Sequence, residues 1–419
     1  MGMYLNSRTE GFERALRSEI FVDKTEMIGY LNTVVGTNQS YVSVSRPRRF
    51  GKTMATNMIA AYYGHEADSR KLFEPLKLAK NVDGWDRYLN KFDVVSIVTT
   101  DFFGDSDNVD DFLDYMTDEV TTELMEAYHD IRYDKRINLR TVIDKIYNQT
   151  GHQFVIIVDE WDAIFRIWKN DNEGQVKYLD FLRSWLKDKP YVALAYITGI
   201  LPIKKYGEHS ALNMFDEYSM IALMQLAQYT GFTDDEVREL CDKYGRNYDE
   251  IKDWYDGYIV SDINPPDPNY FDQERGLSLN AKKYSIYSSL SVVKALRNGV
   301  VANYWNSTES YVALADYICM DFDGLKDVVA LLMDGGRVKI NISTYQNDMT
   351  TFSSRDDVLT LLIHLGYLGY DEDTGEVFIP NKEILQVFRD STKTDDWTPV
   401  FDVFSKCRYG IYPSTEVRL

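Results

Sequence analysis

One stretch of the chain, residues 41–63, constrains the fold more than any other. It opens with Tyr41–Val44, which is typical of a buried strand, and closes with Met54–Tyr63, which is typical of a helix. The loop between them ends in Gly-Lys-Thr at positions 51–53. A strand, such a loop and a helix form the layout of a P-loop, in which backbone N–H groups at the helix start cradle phosphate oxygens. The sequence therefore predicts a phosphate-binding loop in an α/β fold.

The loop departs from the usual pattern at its first position, where a P-loop has glycine and this chain has Arg46. Arginine does not easily take a glycine-only conformation. Pro47 fixes its own φ and pushes the residue before it towards extended geometry. We therefore expect a stiffer loop entry of a different shape, with Gly51 kept at the position of close approach.

The residues at the end of the loop have specific expected roles. Lys52 is predicted to reach the β- and γ-phosphates, and the Thr53 hydroxyl is predicted to hold Mg²⁺. The guanidinium groups of the loop can either add donors to a phosphate or pair with acids elsewhere, and both alternatives stay open. The residues predicted to contact the nucleotide are Arg46, Arg48, Arg49, Phe50, Gly51, Lys52, Thr53 and Met54.

A pair of acids strengthens the P-loop hypothesis. Phe154–Val158 is a continuous apolar run, as expected for a central parallel strand, and it leads into Asp159 and Glu160. The carboxyl end of such a strand lies at the edge where α/β sheets bind ligands. We predict that Asp159 supports Mg²⁺ and that Glu160 orients or deprotonates an attacking water. The alternative is a strand stopped by two solvated acids.

Two further strands extend the predicted sheet. Phe92–Thr100 is rich in β-branched residues and falls in sequence between the loop and the acids. This fits the ATPase division in which a strand is inserted between the P-loop strand and the acid strand, and in which a catalytic glutamate beside the acid is typical. Tyr191–Thr198 is predicted as the fourth strand, and Thr198 at its end is predicted to sense the γ-phosphate. The alternative is a strand followed by a turn at Gly199.

An arginine finger cannot be assigned from the sequence. Arg166 and Arg183 follow the acid strand and are candidates, and the alternative for both is a surface charge. The predicted catalytic residues are Glu160, Lys52 and Thr198, and the predicted metal ligands are Thr53 and Asp159.

The pattern changes behind this core. After Phe215 the chain is mainly helical, and residues 367–379 predict a hairpin around Asp371–Gly375. We predict an α/β fold in which a P-loop NTPase core with a parallel sheet is followed by a helical lid and a winged-helix-like α+β module. The predicted boundaries are 1–225 for the core, 226–310 for the lid, 311–395 for the module and 396–419 for a C-terminal tail.

Charge and composition limit the classes of partner. The net charge of −20 disfavours a general nucleic-acid-binding surface, because phosphate neutralisation needs clustered Lys and Arg. Residues 311–380 carry four basic and twelve acidic side chains, which favours a protein-contact or nucleotide-lid role over DNA docking. Three scattered cysteines favour a reducing compartment. With no signal peptide or membrane-spanning run, a cytoplasmic protein without a membrane partner is predicted.

These motifs resemble the AAA-ATPase-like family of bacterial and archaeal proteins. That family normally has Arg-Pro-Arg-Arg before Gly-Lys, so the resemblance implies that the missing first glycine is a family trait. Members often continue into a nuclease-like domain with a PD-(D/E)xK site, which is expected to be absent here, so the implied link to DNA cleavage does not carry over. The matching segments are 21–25, 46–53, 159–160, 198–199, 254–258, 304–305, 363–368 and 379–381.

The sequence as a whole predicts an ATP-binding, Mg²⁺-dependent ATPase. Its nucleotide state is expected to be coupled to an effector, a protein partner or further copies of the chain. One alternative is a nucleotide-dependent switch or scaffold that barely hydrolyses ATP, and the presence of Glu160 argues against it. The other alternative is a nucleic-acid-processing motor, which the acidic charge disfavours.

Overall fold

A computed structural model describes residues 2–393 and Trp397, with gaps at 8, 134–136, 204–211, 222–223, 263–281, 306–309, 321, 323 and 348. The chain divides into two compact units. The first comprises residues 1–232, 260–284 and 346–350, and the second comprises 233–259, 285–345 and 351–419. The predicted tail, 396–419, lies outside the described residues except for Trp397, and the finer domain boundaries stay a prediction.

A five-stranded parallel sheet forms the core of the first unit. Its strands are β1 (Tyr41–Ser45), β2 (Asp93–Val98), β3 (Phe154–Asp159), β4 (Val192–Gly199) and β5 (Asp216–Tyr218). Every residue of β3 and β4 is buried, although successive side chains of a strand point to opposite faces, so both faces of the sheet are covered. The predicted parallel α/β core is confirmed. The edge strand β5 was not predicted from the sequence, because it has three residues and no apolar run.

The order of the strands, β2–β3–β4–β1–β5, brings the predicted functional positions to one edge. The sequence suggested residues 92–100 as the strand inserted between the loop strand and the acid strand, and this is wrong. The inserted strand is β4, which pairs with both β1 and β3, whereas β2 pairs with the other side of β3. Thr198 is in register with Val44 on one side and with Asp159 on the other. The ends of the loop strand, the threonine strand and the acid strand are therefore neighbours.

Helices surround the sheet of the first unit. The helix after β1 packs on β2 and β3, and the three longer helices that flank β3 in sequence pack on one another. Side-chain caps fix the starts of all three: Asn108 accepts from the backbone of Asp111, Asn138 forms a capping box with Thr141, and Asp171 accepts from the backbone of Gly174. The helices are α1 (Glu10–Leu16), α2 (Glu26–Val34), α3 (Lys52–Tyr63), α4 (Arg70–Phe73), α5 (Lys77–Asn81), α6 (Val109–Ala127), α7 (Leu139–Thr150), α8 (Ala163–Ile167) and α9 (Asn172–Leu186), with 3₁₀ turns at Thr99–Asp105 and Met224–Leu226.

The second unit is mainly helical. Strands Gly369–Asp371 (β10) and Glu376–Phe378 (β11) form the predicted hairpin, and Val338–Lys339 (β9) pairs antiparallel with β11. The helical lid and the winged-helix assignment stay predictions. The elements from residue 232 onwards are β6 (Phe232–Thr233), α10 (Asp234–Tyr244), α11 (Tyr248–Tyr255), β7 (Tyr258–Asp262), β8 (Lys282–Tyr287), α12 (Ser289–Asn298), α13 (Ser310–Ile318), α14 (Leu325–Met333), β9 (Val338–Lys339), α15 (Arg355–Leu365), β10 (Gly369–Asp371), β11 (Glu376–Phe378) and α16 (Lys382–Ser391).

His364 on α15 is buried and its ring stacks on Tyr345 at a centroid distance of 5.9 Å, so it is a packed core residue. None of the helices in the described part of the chain is both long enough and apolar enough to cross a bilayer.

A polar cluster on the carboxylate of Asp234 ties three elements of the second unit together. The carboxylate accepts hydrogen bonds from Tyr248 Oη (2.5 Å), Tyr287 Oη (2.6 Å) and Lys252 Nζ (3.1 Å). Burial alone would raise the pKa of Asp234, but the hydrogen bonds outweigh it and lower the pKa below the ordinary value of 3.8. The charged form of Asp234 therefore stabilises the folded second unit.

We expect the second unit to lose stability in acid partly through Asp234. Because folding lowers this pKa, the stabilisation is present above pH 3.8 and is lost as the pH falls through the folded pKa. Denaturant unfolding of the wild type and Asp234→Asn should therefore differ most above pH 4 and converge near pH 2 to 3. Asp235→Asn is the matched control, since this neighbouring acid is exposed. A difference between wild type and Asp234→Asn that does not change with pH contradicts the prediction.

Candidate active site

The loop between β1 and α3 has an unusual backbone at two positions. Gly51 has φ = 85° and Arg49 has φ = 74°, both in the left-handed region. A Cβ at Gly51 would meet nothing within 4 Å, so the glycine is required by the backbone angle and not by lack of space. No side chain among the described residues caps α3. Its first N–H groups thus have no side-chain cap in the described part of the chain, and such a helix start suits an anion.

The Lys52 side chain folds back across this loop. Its Nζ donates to the carbonyl oxygens of Arg46 and Pro47, both at 3.0 Å. Burial lowers the pKa of Lys52 to about 8, and the carboxylates of Asp162, Asp159 and Glu160 act in the opposite direction. A buried ammonium held by two carbonyls, with carboxylates near it, can exchange those carbonyls for phosphate oxygens without leaving its position.

Thr53 and Asp159, the two predicted metal ligands, lie within hydrogen-bond distance of each other. The hydroxyl of Thr53 donates to Asp159 Oδ2 at 2.8 Å, and the other oxygen of Asp159 accepts from the backbone N–H of Glu160 at 3.0 Å. Asp159 is almost fully buried, and this burial raises its pKa. A hydroxyl and a carboxylate are the oxygen donors that Mg²⁺ takes from a protein when phosphates supply the rest of its ligands. The donor set at this point fits Mg²⁺.

Glu160 lies at the mouth of the site in a strained backbone conformation, with φ = 54°. The Thr99 hydroxyl donates to its carbonyl oxygen at 2.5 Å and helps to hold that conformation. The carboxylate accepts a hydrogen bond from Arg166 Nη2 at 2.8 Å, and 37% of the Glu160 side chain is exposed. Glu160 is thus accessible from solvent and is engaged by a cation.

Thr198 ends β4, which lies between the loop strand and the acid strand, a position that the sequence analysis had not given to this strand. It is fully buried, and its hydroxyl donates to the carbonyl of Val44 at 2.9 Å. In this arrangement Thr198 links β4 to the strand that carries the loop. Contact with a phosphate would require the hydroxyl to leave Val44, and the sensor role stays a prediction.

The basic residues at the loop entry differ in burial. Arg46 is fully buried and donates to the carbonyls of Ser45 and Ala227, each at 3.4 Å. Burial lowers its pKa to about 9, and no carboxylate lies within ion-pair distance of it among the described residues. Arg46 therefore supports the loop from the buried side, whereas Arg48 is exposed on the loop. The predicted contact of a loop arginine with nucleotide is open to Arg48 and stays a prediction.

The flanking apolar residues of the predicted nucleotide contact also differ. Phe50 is buried, and its carbonyl accepts from the backbone N–H of Gly231 at 2.9 Å. Met54, on the first turn of α3, is exposed. Phe50 thus anchors the loop to the chain near residue 231, while Met54 lies where a bound molecule can reach it.

The structure separates the two candidate arginine fingers. Arg166 on α8 lies in the site and contacts Glu160, whereas Arg183 lines an open cavity of about 450 Å³ with three other basic residues. That cavity adjoins the residues that precede β4, at the opposite end of the strand from Thr198. The cavity is lined by Arg140, Asp180, Arg183, Ser184, Lys187, Asp188 and Lys189.

Sequence reasoning missed Asp162. Its side chain is fully buried, one carboxylate oxygen accepts from the backbone N–H of Leu201 at 3.0 Å, and the same oxygen lies 3.3 Å from Arg166 Nε. The signal available in the sequence was a third acid close after Asp159 and Glu160. A buried acid needs a charged or polar partner, so this acid could have pointed to one. In the described part of the chain no group of three or more His, Cys, Asp or Glu side chains is arranged for a metal.

Comparison with known proteins finds a family match in the first part of the chain. Residues 10–207 match the family AAA-ATPase_like, described as "Predicted AAA-ATPase". A protein of Azotobacter chroococcum mcd 1, named "Uncharacterized protein in vnfD 5'region", is 26% identical over 246 residues, which are 57% of this chain and 45% of that protein. The matched segment thus spans less than half of that relative.

Two solved structures are similar over most of the chain. The Walker-type ATPase PABY2304 of Pyrococcus abyssi covers 89% of this chain and 97% of its own, with 12% identity and a TM-score of 0.40. The ORC2 protein of Aeropyrum pernix, in ADPNP–ADP complexes, covers 96% and 100%, with 11% identity and a TM-score of 0.37. These TM-scores are low, so the P-loop α/β fold rests on the sheet and the loop of this chain.

Proposed function

We propose, from the premise that residues 10–207 are an AAA-ATPase-like segment, that this protein binds ATP with Mg²⁺ and hydrolyses it. The observation that carries the proposal is the 2.8 Å contact between Thr53 and Asp159 beside the uncapped start of α3. Thr53 follows the loop lysine and Asp159 ends β3, which β4 separates from the loop strand. Their approach at the carboxyl edge of the sheet is what a shared ligand requires.

The residues of the loop would hold the phosphates. The N–H groups at the start of α3 and the ammonium of Lys52 would bind the β- and γ-phosphate oxygens, replacing the carbonyls of Arg46 and Pro47. Arg48, exposed on the same loop, is positioned to add a further donor. Thr53 and Asp159 would hold Mg²⁺, which neutralises phosphate charge when bound.

Glu160 would act on the attacking water. Its carboxylate accepts a proton as the water oxygen bonds to the γ-phosphorus, the bond from that phosphorus to the β–γ bridging oxygen breaks, and ADP and inorganic phosphate are released. Such a step requires a carboxylate that water can reach, which the partial exposure of Glu160 satisfies. Thr198 would link changes at the phosphate to β1 through its bond to Val44.

A slow nucleotide-dependent switch is the second candidate function. The observation that favours it is the contact of Glu160 with Arg166 in the structure, since the hydrogen bond occupies a carboxylate oxygen that would otherwise contact water. In both cases we propose that nucleotide state is communicated to a protein partner or to further copies of the chain. The two candidates differ in turnover and not in the binding site.

The direct test is a titration of the wild-type protein with ATP, with and without Mg²⁺, followed by single-turnover hydrolysis of [γ-³²P]ATP. We expect binding by calorimetry in the micromolar range that typical enzymes show, weakened by removal of Mg²⁺, and release of phosphate within minutes. Binding without phosphate release over hours would favour the switch. Absence of heat and of thermal stabilisation at millimolar ATP would overturn the proposed function.

A further inference from the structure

We infer that Arg166 is a positioning residue that exchanges its contact with Glu160 for the terminal phosphate of a bound nucleoside triphosphate. The inference rests on the proposed function of the same site and specifies how that site distinguishes ATP from ADP. In the resting arrangement Arg166 holds the Glu160 carboxylate, and when a γ-phosphate enters, the guanidinium turns to it and leaves Glu160 able to act on water.

Arg166 makes two contacts, one through Nε, here called the root, and one through Nη2, here called the tip. Its Nε lies 3.3 Å from Asp162 Oδ2 at the root, and its Nη2 lies 2.8 Å from Glu160 Oε2 at the tip. The root partner is fully buried, whereas 37% of the Glu160 side chain is exposed. The buried contact therefore keeps the arginine in place while the exposed contact can be broken at low cost.

The fold holds the Asp162 carboxylate in the position where it pairs with Arg166. Its Oδ2 also accepts from the backbone N–H of Leu201, which fixes the carboxylate. Its Oδ1 is buried and has no hydrogen-bond partner among the described residues. A Cβ at Gly199 would lie 2.4 Å from that oxygen, so glycine at the end of β4 makes room for the acid. A buried, incompletely satisfied carboxylate is costly, and its ion-pair partner among the described residues is Arg166.

Arg166 also lies within electrostatic reach of the loop. Its charge lowers the pKa of Lys52, whereas Asp162, Asp159 and Glu160 raise it. The five charged groups are therefore close enough to interact electrostatically. Two cations and three carboxylates carry a net charge of −1 before any ligand arrives, and Mg²⁺ with a triphosphate changes that balance. A terminal phosphate beside Lys52 would compete with Glu160 for the Arg166 tip through a shorter, multiply charged hydrogen bond.

The test uses Glu160→Gln, because slow hydrolysis in that variant allows ATP itself to be titrated. Affinities for ATP·Mg²⁺ and ADP·Mg²⁺ are measured by calorimetry in Glu160→Gln alone and combined with Arg166→Ala. We expect Arg166→Ala to reduce the preference for ATP over ADP by about 10-fold or more, with ADP affinity changed by less than about 3-fold, because only ATP has the phosphate that the arginine contacts. Arg166→Lys should keep part of the preference, since it retains the charge but not the fork.

Two further variants keep the outcome decisive. Arg140→Ala, an exposed arginine at the distant basic cavity, should leave the preference unchanged. If Arg166→Ala does not fold, Arg166→Gln combined with Asp162→Asn removes both charges and leaves no unpaired buried carboxylate. A folded Arg166 variant with an unchanged ATP preference would overturn the inference and leave the proposed function standing. A Glu160→Gln protein that binds neither nucleotide would overturn both.

Discussion

Glu160→Gln is expected to lower the single-turnover rate of ATP hydrolysis by about 10²- to 10⁴-fold, the range that loss of a general base produces. The amide has the shape of the carboxylate and can still accept from Arg166, but it cannot take a proton from water at neutral pH. ATP affinity should change by less than about 3-fold, because the phosphate contacts come from the loop and from Thr53 and Asp159. Quenched-flow phosphate release at saturating ATP measures the rate, and calorimetry measures the affinity.

The matched control for this prediction is Glu173→Gln. Glu173 lies in the first turn of α9, where its carboxylate is 86% exposed and meets Lys177 at 3.5 Å. The two substitutions remove the same charge from the same unit, so only a role in chemistry separates them. Equal single-turnover rates for wild type and Glu160→Gln would sink the assignment of Glu160 as the base and leave the switch as the better description.

The core was predictable because its signals are local. The loop between a strand and a helix, and the apolar run that ends in Asp159 and Glu160, each depend on residues close in sequence. The approach of Thr53 to Asp159, residues 106 positions apart, then follows from the parallel sheet, which brings strand ends to one edge. The boundaries of α3, β3 and β4 accordingly fall within two residues of the predicted ones.

Arg46 shows where local reasoning stops. Sequence rules identified a residue that does not suit a glycine position, and they left open whether its charge faces a phosphate or another group. The structure buries the side chain against the carbonyl of Ala227, which is 181 positions away. Nothing in the spacing of the loop encodes that contact. A chain segment that is remote in sequence thus takes over the support that a tight glycine turn gives a loop.

The cluster of Arg166, Asp162 and Glu160 could not be predicted from the sequence for a different reason. Helix α8 has five residues, which is too few to show an apolar period, so Arg166 could not be assigned to a particular face of it. Its position depends on the turn after β3 and on the space left by Gly199. The same limit applies to Thr198: its strand was predictable, but the bond of its hydroxyl to Val44 depends on the strand order.

Lys52→Ala is expected to weaken ATP binding by about 100-fold or more, because a charged hydrogen bond contributes roughly 1.5–3 kcal/mol and the lysine is placed to serve two phosphates. The stabilisation of the protein by millimolar ATP in a thermal unfolding experiment should disappear with it. Unfolding of the ligand-free protein should change by only a few degrees. Burial lowers the pKa of Lys52, so its charged form does not favour folding, and Ala removes that charge together with two hydrogen bonds.

Lys177→Ala is the matched control, since Lys177 pairs with Asp110 on an exposed surface and its loss should leave ATP binding unchanged. The comparison of ligand-free and ATP-bound unfolding separates two causes of weak binding. A Lys52→Ala protein that is stable alone but gains nothing from ATP has lost the phosphate site, whereas one that is unstable alone has lost the loop. A stable Lys52→Ala protein that binds ATP as tightly as wild type would show that the loop between β1 and α3 is not where the nucleotide binds, and the assignments of Thr53, Asp159 and Glu160 would fall with it.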